Sequence, residues 1–270
     1  MSHRIIAGSI ACLFAALLFN PLHALELGDY RLVDLSHTYG ESTLYWPTSP
    51  TAFEKQTLAY GDSGDGYFYS AYTVCTPEHG GTHIDAPAHF AEDGISTAQI
   101  ELNRLIAPAV VIDVTEPTAV DRNYRVTAED VIAFETIHGE IADGSIVLVR
   151  TDWSRHWPDA MAYLGDDTPG DASNLQFPGF GAEAVRLLAE KRKVAMIGID
   201  TASIDYGKSQ DFIAHRIGAA QGVSNLENLT NLSELPAVGS LVMALPMKIE
   251  GGSGGPARVV ALVPRVATPQ

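Results

Sequence analysis

Three histidines and one aspartate stand within eleven residues, in the run His79-Gly80-Gly81-Thr82-His83-Ile84-Asp85-Ala86-Pro87-Ala88-His89. A divalent ion needs several neutral imidazoles or carboxylates converging at about 2.0–2.2 Å, and His79, His83 and Asp85 supply three such groups. Two histidines four apart share one face of a helix, but Gly80, Gly81 and Pro87 argue for a turn or strand end instead. In an extended chain His79, His83, Asp85 and His89 have the same parity and project to one side. His89 is then a fourth ligand or a base. With three ligands assigned and an open position needed for water and substrate, we assign it to proton transfer. A loop whose imidazoles only satisfy backbone groups would not need so many of them together.

Mixed secondary structure has to position this run. Short β-rich runs recur at Tyr30 to Leu35, Phe68 to Val74, Ala109 to Val114, Ser145 to Arg150, Val194 to Ile199, Ser240 to Leu245 and Ala257 to Val263. Several are continuously apolar, as in strands covered on both faces. Between them, Thr127 is an N-cap candidate for a helix through Phe134, with acidic residues in its first turn. Gly181 to Arg192 reads as a second helix, with Ala184, Leu187 and Leu188 on one face and a basic end. The order matches neither a simple doubly wound sheet nor an eightfold barrel. No linker or repeat divides the chain, so one α/β domain is expected.

The chain has 270 residues, 46% of them hydrophobic, and a formal net charge of -16. That length and composition can bury a sizeable core, and no Lys/Arg cluster offers a surface for nucleic acid or anionic lipid. Arg4, the apolar run Ile5 to Phe19 and the small residue Ala24 follow in the order of a signal peptide. The expectation is a leader over 1–24, a mature domain over 25–270, and a periplasmic or secreted protein that no longer touches the membrane. Only Cys75 remains after the leader, so no disulfide can form within the chain. Cys75 reads as a buried strand thiol rather than a ligand.

His79-Gly-Gly-Thr-His83-Ile-Asp85-Ala-Pro-Ala-His89-Phe90 resembles the signature of the cyclase-like metal-dependent hydrolases, which include bacterial kynurenine formamidase and isatin hydrolase. Further matches are Asp34-Leu35-Ser36-His37, Trp46-Pro47, Arg150-Thr151-Asp152-Trp153, Gly198 to Asp205, His215 with Glu227, and the glycine-rich turn Gly251 to Arg258. The resemblance implies a swivelling β/β/α-type single domain, a homodimer or higher homo-oligomer, His79, His83 and Asp85 as ligands, and His89 as the proton carrier. It also implies that His215 and Glu227 complete a second metal site or contact substrate, and Gly218 and Gly222 between them suit a loop packed against the site.

Gln221 departs from the formamidase pattern. Its carboxamide oxygen is a candidate ligand for a hard ion, or it is a surface residue. As a ligand it favours a single Mn²⁺ over Zn²⁺, and with it an isatin hydrolase-like activity that opens the cyclic amide of isatin to isatinate through a metal-activated water. Trp46, Phe90 and Trp153 are candidate walls for such an aromatic substrate. The alternatives are hydrolysis of N-formylkynurenine by an arylformamidase and, in a different class, a periplasmic metal-binding protein without turnover. Serine-hydrolase chemistry is not supported, because no histidine follows the glycines around Ser253.

Overall fold

The computed structural model describes residues 26–265, so the leader expected over 1–24 lies outside the described residues. Twelve strands occur among the described residues: β1 (Tyr30–Asp34), β2 (Glu54–Asp62), β3 (Phe68–Cys75), β4 (His83–Asp85), β5 (Ile106–Asp113), β6 (Arg125–Val126), β7 (Ile146–Arg150), β8 (Gly179–Phe180), β9 (Met196–Ile199), β10 (Ser224–Glu227), β11 (Ser240–Pro246) and β12 (Gly254–Pro264). Six α-helical segments accompany them: α1 (Leu102–Leu105), α2 (Thr115–Val120), α3 (Ala128–His138), α4 (Ala160–Leu164), α5 (Ala182–Arg186) and α6 (Ile213–Ala220).

The main sheet runs β1-β12-β11-β5-β7-β9-β10-β4, and β12 pairs with β4 as well. That last pairing closes seven strands into a barrel, with β1 attached to the outer part of β12. The continuous apolar runs now have their reason. Along β7, Ile146 and Leu148 point into the barrel core while Val147 and Val149 meet the helical layer. Each such side chain, fully removed from water, contributes roughly 1.5–3 kcal/mol. The outer layer is built from α3, α5 and α6, whose Val131, Ala184, Val185 and Ile217 pack on it. Thr127 caps α3 through a reciprocal bond with Asp130, as expected.

Two expectations are corrected here. Cys75 does lie in a strand, but it is exposed, because β2 and β3 form a separate two-stranded hairpin with most side chains in solvent. The segment containing His215 is a helix rather than a loop, because the Asp205 carboxylate accepts the backbone N–H groups of Ala214 and His215 and caps its start. Gly218 sits within that helix, and Gly222 just beyond it takes the left-handed turn with φ +72°.

Candidate metal centre

The central run takes three local shapes. Gly80 and Gly81 have φ of +138° and +58°, and a β-carbon on either would overlap the Tyr45 or Tyr39 ring, so only glycine serves in both. Strand β4 then presents His83 to Asp85, and Pro87–His89 forms a single 3₁₀ turn that carries His89 back over the site. The run is therefore a short strand with a turn on either side, one of the geometries open from sequence, and the four groups converge.

Strand pairing supplies the rest. Glu227 faces His83 in the β10–β4 register, and Gly254 of β12 faces Asp85. Asp85 Oδ1 lies 2.7 Å from His79 Nδ1 and 3.2 Å from His83 Nε2. Its Oδ2 lies 3.1 Å from His215 Nε2, which is also 3.1 Å from Glu227 Oε1. Asp85 thus belongs to two groups of possible metal donors among the described residues, one with His79 and His89 and one with His83 and Glu227, their ligand atoms within 4.8 Å of one another. His89 stacks on His79 with centroids 3.8 Å apart.

The outer partners are less legible in the sequence. His215 Nδ1 donates to Asp205 at 2.7 Å, and His83 Nδ1 donates to the Gly81 carbonyl at 3.0 Å. Asn228 donates to that same carbonyl at 2.8 Å, and its own side-chain oxygen accepts from the Tyr163 hydroxyl at 3.0 Å. Such partners fix the tautomer and aim of a ligand histidine. From sequence Asp205 stands out only as part of a longer match, and Asn228 does not stand out at all.

Asp85, Asp205 and Glu227 are buried, and the ion pairs they make among the described residues are with histidines rather than with Lys or Arg. Burial works to lower the pKa of His83, but the Asp85 and Glu227 carboxylates outweigh it and raise the pKa to about 9. Burial likewise opposes charge on His215, and the Asp205, Asp85 and Glu227 carboxylates push its pKa well above the usual value. Both shifts express a demand for positive charge at the centre of these carboxylates. A divalent cation answers that demand, and imidazole and carboxylate are its ordinary donors, so the residues present fit such an ion. By contrast, burial lowers the pKa of His89 to about 4, which leaves it neutral near pH 7 and able to accept a proton.

The cluster opens into a cavity of about 270 Å³. Trp46, Phe90 and Phe212 wall it, with Phe90 and Phe212 centroids 5.5 Å apart and Trp46 and Phe212 6.1 Å apart. Two sequence assignments are not met. Trp153 is buried in a separate core cluster, its indole N–H donating to the Tyr163 carbonyl at 2.7 Å, and it does not line the cavity. Gln221 is exposed just past the end of α6, beside Arg186 and Glu190 in a surface cleft remote from the cavity lining. It lies six residues after His215, beyond one turn of helix and rotated off the buried face, so it does not join the ligand cluster.

The chain is also similar to known proteins. Residues 33–206 match the model of the Cyclase family, described as "Putative cyclase". The chain is 35% identical over 254 residues to an isatin hydrolase of Roseibium aggregatum, covering 88% of this chain and 94% of the relative. It is 28% identical to a kynurenine formamidase of Salinibacter ruber, over 85% and 96% of the two chains. Among solved structures, isatin hydrolase A of Labrenzia aggregata bound to benzyl benzoate superposes with a TM-score of 0.81 at 31% identity, covering 88% and 95% of the two chains.

Proposed function

The chain belongs to the Cyclase family, and from that premise we propose that it hydrolyses a cyclic amide, opening isatin to isatinate. One observation carries the reading: the ligand cluster forms the floor of a small cavity whose walls are aromatic. A flat bicyclic ring can stack there while its amide carbonyl meets the cluster.

A divalent cation held by His79, His83, Asp85, His215 and Glu227 would supply Lewis acidity to the carbonyl and lower the pKa of water. The protein's own groups do the remainder. Phe90, Phe212 and Trp46 orient the ring and exclude water. His89, neutral at the cavity wall, takes the proton from the attacking water and returns it to the leaving nitrogen. Without Gln221 the case for a hard ion bound by carboxamide falls away, and three imidazoles suit Zn²⁺ at least as well as Mn²⁺.

A second reading has its own support. Asp85 is shared by two possible donor groups, one with His79 and His89 and one with His83 and Glu227, and two ions held there would favour an arylformamidase acting on N-formylkynurenine. The higher identity to isatin hydrolase ranks the cyclic amide first. Loss of isatin absorbance on adding metal-loaded protein tests it: turnover that stops on chelation is expected, and no conversion contradicts it.

We also assign residues 1–24 to export, so that a mature chain over 25–270 acts in the periplasm. The exposed apolar hairpin β2–β3 supports a homodimer, since it carries Leu58, Tyr60, Tyr67 and Phe68 in solvent.

A further inference from the structure

The hydrogen bond a histidine makes away from a metal centre decides which ring nitrogen is left to face it. For His83 the outward partner is the Gly81 carbonyl, which can only accept. Its Nδ1 therefore carries the proton, and Nε2 faces Asp85 and Glu227 at 3.2 and 3.5 Å. His215 follows the same plan, with Nδ1 on Asp205 and Nε2 turned inward.

His79 is turned the other way. Its Nδ1 faces Asp85 at 2.7 Å, and its Nε2 lies 2.9 Å from Ser253 Oγ. A serine hydroxyl has one hydrogen. Glu78 Oε2 lies 2.7 Å from Ser253 Oγ and also accepts the backbone N–H groups of Ser253 at 3.0 Å and Gly254 at 3.3 Å. An oxygen that collects backbone donors is an acceptor, so it takes the serine hydrogen. Ser253 Oγ is left to accept from His79, and His79 Nε2 must carry the proton. Gly254 leaves room for the ring, since a β-carbon there would overlap it.

We propose that Glu78 and Ser253 are positioning residues that fix His79 as its Nε2–H tautomer, so that His79 binds metal through Nδ1 while His83 and His215 bind through Nε2. This rests on the metal-centre reading above. The glycine-rich turn that opens β12 thereby acquires a role, because it brings Ser253 across 174 residues of sequence to orient one ligand.

Long-range proton–nitrogen NMR on protein with ¹⁵N-labelled histidine, saturated with Zn²⁺, tests the assignment directly. One ring with a protonated Nε2 and a metal-bound Nδ1, absent from the spectrum of His79→Asn, is expected beside two rings bound through Nε2. Ser253→Ala and Glu78→Ala should each weaken Zn²⁺ binding about 10- to 100-fold, with Ser253→Thr restoring it. A wild-type spectrum with His79 bound through Nε2, or full Zn²⁺ affinity in both alanine variants, overturns the inference while leaving the metal centre intact. Wild-type protein that binds no Zn²⁺ overturns the metal reading as well.

Discussion

His215 Nε2 lies 3.1 Å from Asp85 Oδ2, although 130 residues separate them. The contact joins helix α6 to strand β4 and gives Asp85 a ligand group on each of its oxygens. Asp85→Asn should therefore lower metal occupancy more than His79→Ala or His215→Ala, each of which disturbs one side. All three variants should lose activity in step with metal. Metal analysis on the purified variants checks this, and an Asp85→Asn protein with full metal and full rate would remove Asp85 from the ligand set.

His89 should behave differently. It stacks on His79 and faces the cavity, so His89→Gln is expected to lower kcat by about 10²- to 10⁴-fold while metal content stays at the wild-type value. Loss of the ion in this variant would instead make His89 a ligand.

His37 gives a pH test away from the centre. Its ring stacks on Trp157 at 4.2 Å, its Nε2 is buried without a hydrogen-bond partner, and burial lowers its pKa to about 4. The unfolded chain, titrating near 6.5, binds a proton that the folded chain refuses between those values, so stability is lost as pH falls from 6.5 towards 4. The cost is about 1 kcal/mol at about pH 5 once partial exposure is allowed for. His37→Phe keeps the stacking and removes the titration, so its melting temperature should fall less than that of the wild type between about pH 7 and pH 5. Parallel curves would discard this assignment.

The hairpin predicts assembly. Leu58, Tyr60 and Phe68 are 62%, 72% and 62% exposed, an apolar surface of the kind monomers rarely leave open. Sedimentation should find a dimer that a Leu58→Glu, Tyr60→Glu, Phe68→Glu triple variant weakens by roughly tenfold or more. A wild-type monomer at micromolar concentration would contradict it.

What the sequence disclosed follows from distance along the chain. His79, His83, Asp85 and His89 are legible because ligand density is a local property. Glu78 and Ser253 cannot be paired from sequence, since their contact spans 175 residues and exists only once β12 closes the barrel on β4. Strands β4 and β10 have three and four residues, too few to show a period. Helix α6 is hidden by Gly218 and Gly222 and by a cap supplied from Asp205, outside its own segment. Gln221 misleads because its residue type suits a ligand while its place on the helix does not. Trp153 misleads because an indole serves a core as readily as a substrate wall.

The central claim, that the aromatic cavity and its metal cluster act on a cyclic amide, is tested most directly by comparing kcat/KM for isatin and N-formylkynurenine on one metal-loaded preparation of the protein, with bound metal counted on the same sample. A clear preference for isatin, abolished by chelation, is the expected result. A preference for N-formylkynurenine, with two Zn²⁺ per chain, would contradict the claim.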